Sequence, residues 1–435
     1  MPVSLGVAIL LCRWRAPTTY ESLSQPSSWR RITFLLLVGH LLINRIRLGT
    51  RAGTAIFESG LSSQNRLQVL STALLGMWAF VLVTSSRVRS QNLIRGQRLW
   101  VSALFALFLF STVWSVTPNL TAYRSVELLS IWILVVHLCK GSDPIRFVAS
   151  YIQLSILAIF ADGLLERASP HLFVPAGLRE NTGGLLSACY FILVVCVPRS
   201  RVGSSFRGQI FQALLALYCL LIFNSLAAVL STLVGLAVFA VGGIHRQSLR
   251  RLVGVGIAGA LGVLLFLPIR IVSSTSEVAA RIFNRDVDSV LSGTGRLQLW
   301  RIAINESIVH PLGLGLTADR SLRERSAYRV LDWPAASAHN GYVSALIGLG
   351  LLGLVLVLTI AFGTFEHVAA YPRAERRALS ALLAVYWSNN VSISLFGAWF
   401  SPPTIIPLIV LASQWVPTAR EVSMAGRKHC LQDRA

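Results

Sequence analysis

Charge is scarce in this sequence, and negative charge is scarcest. Only 18 acidic residues stand against 39 basic ones, and charged residues make up 13% of the chain. Soluble domains carry about 25%, so composition argues against a soluble globular fold. Lysine is almost absent: Lys140 and Lys428 are the only two, and nearly all positive charge is arginine. A GC-rich genome alone can produce that bias. The cysteines do not pair. Cys12, Cys139, Cys189, Cys196, Cys219 and Cys430 lie far apart with no CxxC spacing, so neither a disulfide framework nor a zinc site follows. No internal repeat, low-complexity tract or separate soluble domain is visible.

What the chain has in abundance is long apolar runs, with 54% of residues hydrophobic. A helix needs about 20 mostly apolar residues to cross the hydrocarbon core of a bilayer. Candidate spans lie near 32–48, 66–84, 99–116, 122–139, 145–165, 183–198, 208–223, 225–244, 252–271, 339–363, 377–396 and 401–417. The expected fold is therefore an all-α polytopic membrane protein with about twelve transmembrane helices. An earlier run, Val3–Cys12, is too short to span and has no basic residue ahead of it. It reads as a weak signal-peptide candidate at best, and equally as a surface-lying segment or the product of a misplaced start codon.

A net charge of +21 suggests nucleic acid, but its placement does not. The arginines sit in short connections between apolar runs, as the positive-inside rule requires of cytoplasmic loops. Arg13, Arg15, Arg30 and Arg31 precede the first span. Arg87, Arg89, Arg95 and Arg98 follow the second, and Lys140 and Arg146 follow the fourth. Arg199, Arg201 and Arg207, then Arg246, Arg250 and Arg251, then Arg373, Arg376 and Arg377 continue the alternation. Arg420, Arg427 and Lys428 close it. Residues 1–31 and 418–435 are thus expected in the cytoplasm, flanking helices at 32–271 and 339–417. The connection carrying Arg45, Arg47, Arg51 and Arg66 breaks the rule; it is either a basic outer surface or a sign of a miscounted first span.

Residues 272–338 form one long polar connection, expected outside. Eight arginines in it are nearly balanced by seven acids, Glu277, Asp286, Asp288, Glu306, Asp319, Glu324 and Asp332. Loops of this length usually carry a function or a fold of their own. Leu297, Trp300, Ile304 and Ile308 recur at helical spacing and predict a helix over Arg296–Val309.

Directly after this loop, His339-Asn340-Gly341-Tyr342 opens the long apolar run with Gly350 and Gly353. The positive end of a helix dipole disfavours a protonated imidazole, and a neutral imidazole is what a general base needs. The competing reading is an interfacial His–Asn pair that caps the helix. Arg124 stands three residues before Glu127 in the span 122–139, which makes an ion pair the default, although ionisable groups inside a span also invite a functional reading. Asp286-Val-Asp288 has the form of a metal-binding acid pair, but a three-residue pattern recurs by chance and Arg281 and Arg285 flank it. Gly341, Gly348, Gly350 and Gly353 are expected to let neighbouring helices pack closely.

His339-Asn340, nine residues, then Gly350-x-x-Gly353 resembles the pattern of the O-antigen ligase and polymerase superfamily. Ser292-Gly-Thr-Gly-Arg296-Leu-Gln-Leu-Trp300 and His310-Pro311-Leu-Gly313-Leu-Gly315 also look like that family. So does Trp114-Ser115-Val-Thr-Pro118 leading to Tyr123-Arg124-Ser125. Order, spacing and the long outer loop agree over roughly residues 65–417. One departure is Gly348, where many members carry glutamate.

The resemblance implies a GT-C-type helical fold in the bacterial inner membrane, with its active site facing the periplasm. It implies an inverting glycosyltransferase that needs no metal or cofactor. Arg296 and Arg179 would hold the diphosphate of an undecaprenyl-linked glycan donor, His339 would act on the acceptor, and Asn340 and Arg124 would support them. The spacing favours lipid A–core as acceptor, hence a ligase; the alternative is a polymerase that uses a second lipid-linked glycan. Other classes compete less well. A transporter or flippase tends to show repeats and broken midplane helices, and a non-catalytic scaffold would not depend on His339. A topology reporter fused within 272–338 is expected to be active only outside the cytoplasm. A cytoplasmic signal there would remove the site from any outer-face substrate.

Overall fold

A computed structural model describes residues 28–45, 63–140, 143–168, 180–197, 206–223, 225–242, 296–316, 340–392 and 401–413. Among the described residues the chain is helical and contains no strand. The first helices are α1 (Ser28–Arg45), α2 (Ser63–Thr84), the single turn α3 (Ser90–Ile94) and α4 (Arg98–Phe110), which ends in a 3-10 turn at Ser111–Val113. Then follow α5 (Pro118–Cys139), α6 (Pro144–Ala168), α7 (Glu180–Cys196), α8 (Phe206–Ile222) and α9 (Leu226–Gly242). The loop helix α10 (Arg296–Val309), the long α11 (Gly341–Ala369), α12 (Arg373–Asn389) and α13 (Ile405–Ala412) complete the described set.

The expected apolar runs appear as helices wherever they are described, and α10 has the predicted bounds. The run at 252–271, most of the 272–338 connection and both terminal segments fall outside the described residues. Among the described residues three helical stretches are long and apolar enough to cross a membrane: Arg66–Thr84, Pro118–Cys139 and Gly341–Ala369. Shorter apolar helices accompany them at Arg98–Val113, Pro144–Ile159, Asn181–Cys196, Phe206–Ile222, Leu226–Gly242 and Pro402–Ala412.

Helix starts follow local chemistry. Pro118 opens α5 at a position whose N–H has no intrahelical partner. Asp143 accepts from the backbone N–H groups of Ile145 and Arg146 at 2.9 and 3.3 Å at the start of α6. The burial pattern is that of a protein in lipid. On α8 the outward face is Ile210, Leu214, Leu217 and Leu221, whereas Gln212, Ala216 and Cys219 face inward. A helix in water turns its apolar stripe to the core. Here the apolar stripe faces out and the small and polar side chains face in, as between membrane helices.

One group of helices joins α1, α2, α4 and α5; another joins α7, α8, α9 and α12, with α6, α11 and α13 between them. Several basic connections meet at one end of the bundle. Arg30 donates to the Lys140 carbonyl, and the Arg87 guanidinium lies 5.3 Å from the Trp29 ring. Gln97 donates to Glu366 at 2.6 Å at the far end of α11.

At this end lies α13, whose eight side chains are all buried. It is far shorter than a span, so its last carbonyls finish inside the protein, where water cannot serve them. Arg98 supplies the donors. Its Nε reaches the Leu411 carbonyl at 3.0 Å and its Nη2 the Ala412 carbonyl at 2.8 Å. His367 Nε2 donates to the Ser413 carbonyl at 3.0 Å. A cation at the negative end of a helix is favourable in its own right, and each charge-assisted bond contributes about 1.5–3 kcal/mol. Arg98→Met is therefore expected to destabilise the fold by about 3 kcal/mol or more, read as a lowered midpoint of thermal unfolding in detergent. An unchanged midpoint would show that the buried helix end has another partner.

Candidate active site

The end of the bundle opposite the basic connections carries Asn340 and the first turns of α11. Here α11 is broken. Gly350 adopts φ 65° and ψ −160°, which interrupts the helix after its first turns. A break exposes carbonyls that would otherwise bond within the helix, and in an apolar setting each must find a partner. The segment after α10 provides them. The backbone N–H of Leu314 donates to the Ile347 carbonyl at 2.8 Å, and that of Gly315 to the Gly348 carbonyl at 2.8 Å. The Leu314 carbonyl in turn accepts from Val116 N–H at 3.0 Å. Three stretches distant in sequence, 114–117, 310–316 and 347–350, are thus laced together by main-chain bonds.

Side chains reinforce the junction. Trp114 Nε1 donates to the Leu312 carbonyl at 3.1 Å. Ser115 Oγ lies 2.7 Å from Thr121 Oγ1 and accepts from Thr117 N–H at 3.0 Å. Ala303 and Leu314 pack with Val343 and Ile347, seating α10 on the first turns of α11, with Trp300 beside them.

Of the four glycines expected to serve helix packing, two meet a loop instead. A Cβ at Gly350 would lie 1.8 Å from the Pro311 carbonyl oxygen, and one at Gly348 would lie 3.1 Å from the Gly315 carbonyl oxygen. Gly350 is needed because its φ is positive and the loop backbone crosses it. Gly341 alone of the four packs against a neighbouring helix end, at the Asn390 side chain. At Gly353 the nearest atoms belong to Leu349 and Ala345 of its own helix. The departure from glutamate at Gly348 lies on the junction itself, where its carbonyl and open face are both used.

At the mouth of α11, Asn340 is the N-cap: its Oδ1 accepts from Tyr342 N–H at 3.0 Å and Val343 N–H at 3.2 Å. Gly341 N–H donates to the Asn390 carbonyl at 2.8 Å, and Tyr342 OH donates to the Trp387 carbonyl at 3.1 Å. The start of α11 is therefore locked to the end of α12. Capping belongs to Asn340, in keeping with that part of the competing reading. His339, the preceding residue, lies outside the described residues, as does Arg179, which directly precedes Glu180 and the start of α7. Arg296 is the first residue of α10, and Ala303 of the same helix packs toward α11.

Helices α7, α9 and α12 set the start of α7 beside the end of α12. A Cβ at Gly235 of α9 would touch Val385 and the Ala381 carbonyl of α12 and Ile192 of α7. At the other end Cys196, Ala374 and Arg377 line one cavity. Helices α7 and α12 thus run antiparallel, and α7 starts at the end where α12 meets the start of α11.

A second polar cluster occupies α1, α2 and α5. The Arg124–Glu127 pair expected from spacing is present, with Nη1 2.7 Å from Oε2. Sequence reasoning did not find its other members. His40 Nε2 is 2.9 Å from Glu127 Oε1, and His40 Nδ1 is 3.0 Å from Ser71 Oγ. Thr72 Oγ1 donates to Tyr123 OH at 3.2 Å, and Arg124 lies over the Tyr123 ring at 4.9 Å. His40 and Ser71 come from other helices and carry no local signal. Asp286 and Asp288 lie outside the described residues, among which no group of three or more His, Cys, Asp or Glu could hold a metal.

A family model described as O-antigen ligase matches residues 211–358. Those residues run from α8 through α10, the junction loop, Asn340 and the break at Gly350. This stretch of the chain is similar to the O-antigen ligase family. The chain is also similar to the exopolysaccharide production protein ExoQ of Rhizobium meliloti (strain 1021), with 24% identity over 335 residues, covering 70% of this chain and 74% of that one. Among the described residues the chain has helices apolar and long enough to span a membrane. Arg296 and His339 fall inside the matched domain; Arg179 and Arg124 precede it.

Gly350→Ala is expected to cost at least about 2 kcal/mol from strain at a positive φ, with more from the collision with Pro311. The change should lower the thermal midpoint and abolish glycan product together. Wild-type behaviour in both would mean that the loop does not depend on the break.

Proposed function

We propose that this protein transfers a glycan from an undecaprenyl-diphosphate carrier to an acceptor hydroxyl at the periplasmic face of the inner membrane. The observation that carries the reading is the junction at the broken α11. It brings three motif stretches into one main-chain-bonded unit on the first turns of the helix that Asn340 caps.

In this reading about twelve helices form a GT-C-type bundle, with residues 1–31 and 418–435 in the cytoplasm. The polar connection 272–338 covers the periplasmic mouth. The lipid tail of the donor lies among the spans, and its diphosphate meets Arg296 and Arg179. Arginine suits this task because its planar fork makes paired bonds to phosphate oxygens and keeps its charge. His339 takes the proton of the acceptor hydroxyl as that oxygen bonds to the anomeric carbon. The bond from the anomeric carbon to the diphosphate oxygen breaks on the opposite side, which inverts the centre, and the lipid diphosphate leaves with the electron pair. Negative charge grows on the diphosphate, so a fixed cation there stabilises the transition state by several kcal/mol where water is excluded. Asn340, the next residue in the chain after His339, caps the helix that follows. No step calls for a metal.

Two acceptors fit this chemistry. The His-Asn spacing favours lipid A–core and a ligase. The relative named for exopolysaccharide production, which matches across 70% of the chain, favours a growing lipid-linked glycan and a polymerase. We give the second more weight, because it rests on the greater length of sequence.

Purified protein given lipid-linked glycan should convert that glycan into longer chains with no added acceptor; mass gained only by added lipid A–core would restore the ligase reading. His339→Ala should slow transfer by about 10²–10⁴ while the protein still inserts. Arg296→Lys should slow it by about 10² or more. Full turnover in either variant would remove that residue from the chemistry.

A further inference from the structure

The cluster around Glu127 is more than a helix staple. Its three ionisable members share their bonds unequally. Glu127 is sealed, and both of its oxygens are occupied, one by Arg124 and one by His40. His40 is also sealed, and its other ring nitrogen meets Ser71. Arg124 differs. Its side chain keeps 8% exposure against 0% for Glu127 and His40. Among the described residues its guanidinium makes one hydrogen bond, from Nη1 to Glu127.

A guanidinium has five N–H donors in a fixed fork, and a pair built only for stability would use both carboxylate oxygens in parallel. Here His40 holds one oxygen, so Arg124 is left with a single contact and spare donors. The Tyr123 ring, 4.9 Å away and itself bonded to Thr72, fixes the plane of the charge. Arg124 therefore remains a pre-positioned cation in a low-dielectric setting, where an anion is attracted far more strongly than in water.

Its place in the fold suggests which anion. Arg124 lies in the second turn of α5, where the N-terminal dipole adds to the attraction for negative charge. Thr121, three residues and about 5 Å earlier along the axis, is the partner of Ser115 at the junction with Gly315.

We propose that Arg124, held by the Glu127–His40–Ser71 chain, is a phosphate-binding residue at the junction end of the bundle, and that His40 and Glu127 are its positioning residues. The phosphate comes from the diphosphate of the glycan carrier or from an anionic phospholipid headgroup. The first source rests on the transfer reading above; the second does not.

The test uses full-length protein in phosphatidylcholine nanodiscs, with undecaprenyl diphosphate lacking a glycan as one probe and phosphatidylglycerol as the other. Arg124→Gln alone would strand a buried carboxylate. The comparison is therefore Arg124→Gln with Glu127→Gln against Glu127→Gln alone, at matched thermal midpoints. The double variant is expected to bind undecaprenyl diphosphate at least tenfold more weakly than Glu127→Gln. A tenfold loss confined to phosphatidylglycerol assigns the phosphate to a headgroup. No loss with either probe overturns the proposal. If wild-type protein ignores undecaprenyl diphosphate, the donor reading fails, and the phosphatidylglycerol arm alone decides the role of Arg124. Should the double variant not fold, Arg124→Lys keeps the pair with Glu127 but lacks the fork; wild-type binding of both probes by that variant overturns the proposal equally.

For the positioning residues, His40→Gln should retain binding within a few fold, whereas His40→Leu should raise KM for the donor with kcat little changed. Equal effects of the two on KM would reduce His40 to a packing role.

Discussion

Every polar backbone group that leaves a helix inside a lipid-facing bundle must find a partner within the protein. That single constraint organises both ends of this molecule. At one end the short helix α13 stops inside the bundle, and Arg98 and His367 reach its last carbonyls. At the other, α11 breaks at Gly350 and hands its carbonyls to the loop behind α10. Neither irregularity could persist in lipid without its partner, so both sets of partners are built from residues far away in sequence. The break costs helix continuity, and what it yields is a rigid seat for a loop at the mouth of the bundle. Rigid seats are what a transferase needs beneath groups that must hold a reacting centre within tenths of an ångström.

Much of the fold was legible from the chain alone. Apolar runs separated by arginines mark helices because length and hydropathy are local quantities, and α10 was legible from Leu297, Trp300, Ile304 and Ile308 at helical spacing. Arg124 and Glu127 lie on one helix, so their pairing could be read from an interval of three. The meaning of Gly350 could not. A glycine in an apolar helix looks the same whether it admits a neighbouring helix or turns the backbone to a positive φ. Only the Pro311 carbonyl lying across it tells the two apart. His40 and Ser71 were invisible for the same reason, since their partner is set by how α1 and α2 lie on α5. The site was legible as motifs in order. That Trp114–Thr117, His310–Leu316 and Gly348–Gly350 form one bonded unit is a tertiary fact.

The junction also explains why such separated motifs belong together. The N–H of Val116 bonds to Leu314, and the N–H groups of Leu314 and Gly315 bond to the edge of α11. Backbone bonds tolerate many side chains, but they demand small residues where chains cross closely. Gly313, Gly315, Gly348 and Gly350 all lie at such crossings, each with another main chain or Ser115 within a few ångströms. Thus the glycines of the pattern serve geometry: they let the loop behind α10 lie directly on the broken start of α11, which Asn340 caps.

A buried charge network in such a protein carries a desolvation cost that an apolar core would avoid, and replacing such pairs by hydrocarbon is often neutral or stabilising. Stability alone is therefore a poor reason for Arg124, Glu127 and His40 to occupy the interior. The alternatives differ in what they require of the arginine. A specificity device for helix pairing would saturate it, since each unused donor in a dry interior is a loss. A binding group would leave donors open and fix the plane by other means, as the Tyr123 ring and the single bond to Glu127 do here. The same logic separates Arg98 from Arg124. Arg98 spends its fork on the carbonyls of Leu411, Ala412 and Asn92 and is structural. Among the described residues Arg124 spends one donor, on Glu127, at the end of the bundle where α11 breaks and the loop behind α10 crosses it.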